Sequence, residues 1–320
     1  MLKSDVICIG SAVVDHFLET KEKFKEIRLG DKVLVNNLET HSGGGATNSA
    51  AALAKMGLKV KMLTKLGHDK EAEFILDEMK QYRVKNLCIH RSKKSTNFSA
   101  IISSEKEKDR VIYAYKGAST DLSITDFKLS QLNAKWIYLA TLMGKSFQTS
   151  KKIAEYTKKK KISLLFNPSL YLAKKGKTQL KGILQATSLL ILNKEEAQAL
   201  LNTKINEPKK LLALLKKLGL KTVIITNGPK TIYATHNDKF YTTTPPKVKV
   251  IHTAGAGDAF NSGVLAGIIK KLPFTESLKL GLVNSASVVQ HLGTKNKLLN
   301  LKESQQLIKK YKIKIIEKNV

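Results

Sequence analysis

The regular alternation of short apolar runs with amphipathic helical stretches is the feature that most constrains the fold. Runs rich in Val, Ile and Leu predict strands at residues 6–9, 59–63, 136–139, 163–166, 189–192, 222–225 and 232–235. Helical spacing of apolar residues occurs at 47–55, 71–82, 150–159, 195–201, 208–218, 257–271 and 274–292. This alternation predicts an α/β fold with a mostly parallel central sheet and helices on both faces.

Two segments interrupt the alternation and have β character. Residues 15–40 include Val33 and Val35, and residues 95–115 alternate on both sides of a charged turn with a hairpin tip at 106–109. Two β pieces inserted into an α/β chain are equally consistent with a small sheet packed over the main sheet as a lid, formed by segments of about 13–40 and 93–116, and with two ordinary surface hairpins. We expect a single domain over residues 1–320.

Composition restricts the class of protein. Hydrophobic residues make up 42% of the chain, which is enough for a sizeable core and argues against global disorder. The two cysteines, Cys8 and Cys88, form neither a disulfide framework nor a zinc-ligand pattern, and Cys8 lies in an apolar run typical of a core. A strand-like run begins at Val6, so we expect no signal peptide, and no apolar stretch is long enough to span a bilayer. These features favour a cytoplasmic protein with no membrane partner.

The formal net charge of +30 raises the question of nucleic-acid binding. Arginine, which is best suited to phosphate and guanine contacts, occurs only at Arg28, Arg83, Arg91 and Arg110. The lysines are spread along helical faces, for example at 158–161 and 209–217. We therefore expect a solvated lysine-rich surface and no specific nucleic-acid partner, although such a field would attract small anionic substrates.

The run Thr253-Ala254-Gly255-Ala256-Gly257-Asp258 leads into a helical stretch. Small residues at a helix N-terminus leave backbone N–H groups free, and with the helix dipole these form an anion-binding cradle. Asp258 is then placed to accept a hydroxyl proton while the cradle stabilises a transferring phosphoryl group. A helix cap is the alternative, but a cap does not need four small residues before it.

Three further motifs follow strand or turn positions. The run Gly43-Gly44-Gly45-Ala46-Thr47-Asn48 lets the backbone approach a ligand, and Asn48 offers a donor and an acceptor at a helix start. Asn193 and Glu196 lie three apart after a strand, where they could hold a hydrated magnesium ion or simply form a helix cap. Thr226 and Gly228 follow the next strand, where they could contact phosphate oxygens or only form a turn.

In this order the four motifs resemble the ribokinase (phosphofructokinase B-like) family of carbohydrate and nucleoside kinases, over essentially the whole chain. The glycine motif matches the first family signature out to Gly57 and Gly67, and residues 255–258 match the core of the second. The resemblance implies a ribokinase-like fold with a lid, ATP and Mg²⁺ as cofactors, and phosphoryl transfer to a hydroxyl of a sugar or sugar-like molecule. A nucleoside kinase of adenosine type is the alternative, and a non-catalytic sugar-binding regulator is a third. The signatures of P-loop and protein kinases are absent.

The resemblance also implies roles for individual residues. Asp258 would be the catalytic base, within an anion hole formed by Ala254, Gly255, Ala256 and Gly257. The substrate contacts would be Asp15, Gly43, Gly44 and Asn48. The nucleotide contacts would be Asn193, Thr226 and Gly228, with Glu196 acting on the metal through water. A homodimer formed through the lid is a further expectation.

Several positions depart from the family pattern. Val13 replaces an Asn of many sugar kinases, Gly45 replaces the Lys of typical ribokinases, and Thr231 replaces a Gly. With Val14 nearby, Val13 favours the nucleoside alternative. His252 replaces an Asp that anchors potassium in many members, so we predict that potassium changes kcat little. Lys297 would then either fill the vacated space as a tethered cation or be one more solvated lysine.

Overall fold

The structure is a computed structural model that describes residues 3–319, and the side chains of residues 87–91 lie outside the described set. Cys88 is among those side chains, so its predicted character lies outside what is described. Cys8 is fully buried in the core, as predicted. Within the described residues, no helix combines the length and apolarity needed to cross a bilayer.

The strands are β1 (Ser4–Ile9), β2 (Val13–Thr20), β3 (Asn37–Gly43), β4 (Val60–Leu66), β5 (Lys85–Arg91), β6 (Asn97–Ser104), β7 (Asp109–Tyr115), β8 (Ala134–Leu139), β9 (Ser163–Phe166), β10 (Leu189–Asn193), β11 (Val223–Thr226), β12 (Ile232–His236), β13 (Lys239–Thr243) and β14 (Ile315–Asn319). The α-helices are α1 (Gly45–Lys55), α2 (Lys70–Gln81), α3 (Ser146–Lys160), α4 (Leu170–Ala173), α5 (Gly176–Ala186), α6 (Lys194–Leu201), α7 (Pro208–Lys216), α8 (Ala256–Ile269), α9 (Phe274–Val288) and α10 (Leu301–Tyr311). Each strand and helix predicted from apolar spacing is present, with shifted ends.

The main sheet has the strand order β14-β13-β12-β11-β10-β9-β8-β1-β4-β5. It is parallel from β5 to β11, and β12, β13 and β14 extend it antiparallel. In β1, Val6 and Cys8 contact a core cluster with α1, α2, α8 and α9, whereas Ile7 and Ile9 contact a second cluster with α3, α5, α6 and α7. Since successive strand residues face opposite sides, the buried run Val6–Ile9 of β1 requires helices on both faces. The predicted α/β architecture is confirmed.

A separate small sheet has the order β3-β2-β6-β7. Strand β2 pairs parallel with β6 and antiparallel with β3, so the two inserted β pieces join in one sheet. The small sheet predicted as a lid is therefore present, and the alternative of two independent surface hairpins is wrong.

One local prediction within the lid is also wrong. Val33 and Val35 precede β3, which begins at Asn37, and they lie in irregular backbone. Leu34 between them is 75% exposed, so these residues face no apolar layer that would reward strand formation.

Candidate active site

A cleft of ≈ 180 Å³ lies at the carboxyl ends of β10 and β11, facing the N-terminus of α8. Parallel strands and a helix start converge here, which is where ligands bind in open α/β sheets. The cleft is lined by Asn167, Ile191, Leu192, Asn193, Glu196, Thr226, Gly255, Gly257, Asp258 and Asn261. The structure thus brings together six of the residues predicted from sequence. Gly228 and Ala254 are exposed and outside this lining.

Asp258 lies in the first turn of α8, half-buried, with donors on both carboxylate oxygens. The Asn48 amide Nδ2 donates to Oδ2 at 2.9 Å, and the Tyr138 hydroxyl lies 3.4 Å from Oδ1. Asn261 Nδ2 in turn donates to the Tyr138 hydroxyl at 3.0 Å. Burial raises the pKa of Asp258, while the hydrogen bonds from Asn48 and Tyr138 and the charge of Lys295 oppose that rise.

The helix-cap alternative for Asp258 is wrong, because the N-cap of α8 is Gly255. Gly255 has φ +80°, in the left-handed region, and a Cβ there would lie 2.7 Å from the Thr294 Cα. A glycine at this position therefore lets the loop around Thr294 pack directly under the helix start. The amide of Ala256 donates to the Thr253 carbonyl at 3.3 Å. The amides of Gly257 and Asp258 are the next two N–H groups in the first turn of the helix.

The glycine motif forms the turn between β3 and α1. Asp15, on the neighbouring strand β2, lies against the start of this turn, and Asn48 lies on the helix that follows it. Gly43 ends β3 opposite β2, and a Cβ there would collide with the Asp15 carboxylate, so glycine makes room for it. Gly44 is the N-cap of α1, which carries Asn48. Burial raises the pKa of Asp15, opposed by a hydrogen bond from Ser99 and by the charges of Lys295, Lys116 and His16.

Asn193 and Glu196 form a reciprocal capping box at the start of α6. Glu196 N–H donates to Asn193 Oδ1, and Asn193 N–H donates to Glu196 Oε2, both at 2.8 Å. The cap considered from sequence is therefore present. Glu196 also lines the cleft, where burial first, and the charges of Glu195 and Asp258 next, raise its pKa to about 7, against the hydrogen bond from Asn193. The Glu196 carboxylate therefore both accepts the capping hydrogen bond from the Asn193 N–H and faces the cleft.

The donor set of the cleft fits Mg²⁺ held jointly with phosphates. The cleft offers carboxylates from Glu196 and Asp258 and amides from Asn167 and Asn193, which are the oxygen ligands that a hard cation prefers. The described residues contain no group of three or more His, Cys, Asp and Glu placed to hold a metal. This arrangement suits an ion that keeps several waters and binds through one or two carboxylates together with substrate phosphates.

Sequence reasoning missed the buried polar groups behind Asn48. Thr294 and Lys295, only 6% and 5% exposed, contact the Asn48 carboxamide oxygen. The only sequence signal is their position directly after Gly293. Lys297, the residue considered as a tethered cation, is exposed, which agrees with the solvated alternative. His252 is buried with its ring edge-on to Phe17 at 5.4 Å, and its Nδ1 has no hydrogen-bond partner among the residues that the structure describes.

Comparisons with known proteins agree with this site. The pfkB family of carbohydrate kinases matches residues 3–301. A ribokinase from Staphylococcus aureus is 25% identical over 315 residues, covering 96% of this chain and 100% of that protein. A nucleoside kinase from Methanocaldococcus jannaschii is 22% identical over 312 residues, covering 96% of this chain and 98% of that protein.

The fold is shared with solved structures. An Arabidopsis thaliana ribokinase, complexed with ribose and ATP, superposes with a TM-score of 0.81 at 20% identity, covering 96% of this chain and 99% of that one. This likeness confirms the expected ribokinase-like fold with its lid. Because the family match spans nearly the whole chain, the protein belongs to the pfkB family of carbohydrate kinases and is an ATP-dependent kinase.

Proposed function

We propose that the protein transfers the γ-phosphoryl group of ATP to a hydroxyl of a sugar or sugar-like molecule, with Asp258 as general base. The observation that supports this most is the position of Asp258. Its carboxylate lies at the N-terminus of α8, is bonded to Asn48 of the glycine motif, and faces the cleft lined by Asn193 and Thr226. A proton acceptor and an anion cradle at one point are the two requirements of phosphoryl transfer to an alcohol.

In this mechanism Asp258 accepts the hydroxyl proton as the new O–P bond forms and the bond from the γ-phosphorus to the β–γ bridging oxygen breaks. The Gly257 amide in the first turn of α8 stabilises negative charge on the transferring group, and Ala256, whose own amide donates to the Thr253 carbonyl, supplies the small side chain next to it. Asn193, Thr226 and Gly228 contact the nucleotide, with Ala254 and Gly255 beside its terminal phosphate. Glu196 would hold Mg²⁺ through water, and the ion would supply charge neutralisation for the phosphates.

Asp15 is the proposed contact for the hydroxyls of the acceptor. It lies on lid strand β2, and its half-buried carboxylate abuts Gly43 in the turn that leads to Asn48. A substrate held between Asp15 and Asp258 is covered by the lid, which would exclude water from the transferring phosphoryl group. Gly43, Gly44 and Asn48 complete the proposed acceptor contacts.

A nucleoside acceptor is the second candidate. It is favoured by the apolar Val13 at the start of β2, where many sugar kinases have Asn, and by the similarity to a nucleoside kinase. An apolar side chain provides contact area for a base, whereas an amide provides hydrogen bonds for sugar hydroxyls.

A pairing of two copies through the lid is part of the proposal. Strand β7 is exposed along its whole length, and Val111, Ile112 and Tyr113 are 39%, 51% and 63% exposed. Apolar groups on an outer sheet face favour association. Light scattering should show a dimer that Ile112→Lys weakens, and a wild-type monomer at micromolar concentration would contradict it.

The cytoplasmic location and the lack of a nucleic-acid or membrane partner remain predictions from composition.

Two experiments test the function. A panel of ribose, fructose, ketodeoxygluconate, adenosine, inosine and cytidine, with ATP consumption as the readout, identifies the acceptor class. Asp258→Asn, with the best acceptor, should lower kcat by about 10²–10⁴-fold and leave ATP binding largely intact, because the amide keeps the shape but cannot accept a proton. Near-normal turnover by this variant would refute the assignment of Asp258 as the base.

A further inference from the structure

A second cavity, with a volume of ≈ 360 Å³, lies beside the segment 295–299 and shares no lining residue with the nucleotide cleft. Its walls come from the ends of α1, α2 and α9, the start of α10 and this segment, and we refer to it as the α10 cavity. None of the residues assigned above to phosphoryl transfer lines it. A ligand bound there would therefore occupy a site separate from the reacting groups.

The lining of the α10 cavity carries more positive than negative charge. Lys55, Lys295 and Lys297 line it together with one acid, Glu303. Lys55 and Lys297 are exposed, and neither forms an ion pair with another residue that the structure describes. The Glu303 carboxylate already accepts a hydrogen bond at 2.7 Å from the Asn300 N–H in the cap of α10. The two unpaired ammonium groups are therefore available to an anion.

Lys295 fixes the wall of the cavity in place. It is 5% exposed, its Nζ donates to the Ser42 hydroxyl at 2.8 Å, and the Glu78 carboxylate lies 3.4 Å away. Lysine is almost never this buried unless it is paired, and Glu78 is the acid that compensates it here. Lys295 therefore anchors the segment that carries Lys297, while the charge open to a ligand comes from Lys55 and Lys297.

The size of the cavity and the type of its cations indicate the class of ligand. A lysine ammonium is a compact point charge that binds phosphate oxygens through charge-assisted hydrogen bonds. The volume lies within the range of about 300–1,000 Å³ that small-molecule sites occupy. Leu298, Leu299 and the half-buried Tyr82 ring add apolar surface to the lining. The cavity can thus accommodate a phosphate group together with a small organic body.

We propose that the α10 cavity is a second anion site, in which Lys55 and Lys297 bind a dianionic phosphate group, either free or on a small metabolite. The proposal does not depend on the role of Asp258, because no group of the α10 cavity takes part in the proposed phosphoryl transfer. It assigns Lys297 a ligand-binding role that is compatible with its exposure to solvent.

The wall of the α10 cavity continues into the active site. Thr294, which directly precedes Lys295, donates from Oγ1 to Asn48 Oδ1 at 2.8 Å. A Cβ on Gly255, the N-cap of α8, would lie 2.7 Å from the Thr294 Cα. The backbone of residues 293–299 therefore contacts both sites, and its hydrogen exchange should report a ligand that binds beside Lys297.

The first test is calorimetry with inorganic phosphate as the probe, while a non-hydrolysable Mg-ATP analogue fills the nucleotide cleft. We expect one saturable site per chain, weakened about threefold or more by Lys55→Met and by Lys297→Met and retained in Lys55→Arg. Lys160→Met is the matched control, because Lys160 is also an exposed last residue of a helix, α3, but lies outside the cavity. It should leave the affinity unchanged.

Two results would overturn the proposal. One is the lack of saturable phosphate binding in the millimolar range by the wild type, and the other is equal affinity in the wild type and both methionine variants of the cavity. Because all these substitutions are at exposed positions, we expect the variants to fold, and a thermal unfolding curve checks this.

The second test locates the ligand and identifies its source. Phosphate should slow hydrogen exchange at residues 293–299 in the wild type but not in Lys297→Met, and slowing confined to other segments would contradict the proposal. Ribose 5-phosphate, compared with ribose and inorganic phosphate, separates the two sources. An affinity about tenfold higher than that of phosphate, lost in Lys297→Met, assigns the site to a phosphorylated metabolite, whereas equal affinities assign it to the free ion. Neither test requires turnover, so a failure of the proposed function would leave both results interpretable.

Discussion

The carboxamide Nδ2 of Asn48 lies 2.9 Å from Oδ2 of Asp258, although 210 residues separate them in the chain. Asn48 follows the glycine turn that approaches Asp15, and Asp258 begins the helix that faces the nucleotide cleft. This bond therefore joins the proposed acceptor site to the proposed phosphoryl site. It also gives the carboxylate a donor that opposes the rise in its pKa caused by burial.

Asp15→Ala should raise KM for the acceptor far more than KM for ATP. An acceptor hydroxyl left without its partner in a closed site costs about 1–3 kcal/mol, or roughly 5- to 150-fold. The measurement is steady-state kinetics with each substrate varied in turn. Asp109→Ala, which removes an exposed carboxylate from lid strand β7, is the control and should change neither constant. Equal effects of Asp15→Ala on both substrates would indicate a structural role.

Glu196→Gln should remove a pH dependence from the binding of Mg-ATP. The pKa of Glu196 is raised to about 7, so the wild-type carboxylate becomes charged as pH rises through that region and binds the metal more strongly above it. We expect calorimetry to show affinity rising between about pH 6 and pH 8 in the wild type and a flatter, weaker curve in the variant.

The control for this change is Glu303→Gln. Glu303 forms the same capping box with Asn300 at the start of α10, with bonds of 2.7 and 2.9 Å, but lies outside the nucleotide cleft. It should weaken its helix cap without changing the binding of Mg-ATP. If both variants altered binding equally, the effect at Glu196 would come from the cap.

The two capping boxes also show what local sequence can and cannot predict. Asn193/Glu196 and Asn300/Glu303 have the same spacing and the same pair of hydrogen bonds. Only the first pair lies at the cleft, and the packing of distant strands determines this difference.

The buried strands were predictable because continuous apolar runs mark them. Strands β5, β13 and β14, at the two ends of the main sheet, were missed. The edge strand β14 is almost entirely exposed and lacks apolar periodicity. Lys295 was missed because its burial depends on Ser42, 253 residues away.

Gly263→Ala should destabilise the protein, because α8 and α9 approach closely at this point. A Cβ on Gly263 would lie 2.7 Å from backbone atoms of Gly281 and Leu280, and backbone cannot give way as a flexible side chain can. Overpacking of this kind costs about 1–3 kcal/mol. Denaturant unfolding measures it, and activity should fall too, since α8 carries Asp258.

Gly182→Ala is the matched control for Gly263→Ala. Gly182 lies within α5, and no atom of the described part of the chain outside this helix's own backbone lies within 4 Å of an added Cβ, so alanine should be neutral or should stabilise the helix by up to about 1 kcal/mol. Equal destabilisation by both substitutions would show that the helix contact is not the cause.

Potassium should change kcat little when ionic strength is held constant. His252 stands where many family members have an anionic anchor for the ion, and a buried imidazole whose pKa is lowered, first by burial, does not supply the anionic oxygen that a hard cation prefers. Lys297 is exposed and is therefore not the tethered cation, whereas Lys295 already provides a buried positive charge near Asp258.

The measurement compares potassium, caesium and choline chlorides at one total ionic strength. That condition is required because a chain with a formal charge of +30 loses its attraction for ATP as salt rises, which would resemble an ion-specific effect. Severalfold, saturable activation by potassium but not by choline would contradict the prediction. The variant His252→Asp tests the cause, because it restores the anionic oxygen. A response to potassium that appears only in this variant would show that the missing acid explains the insensitivity of the wild type.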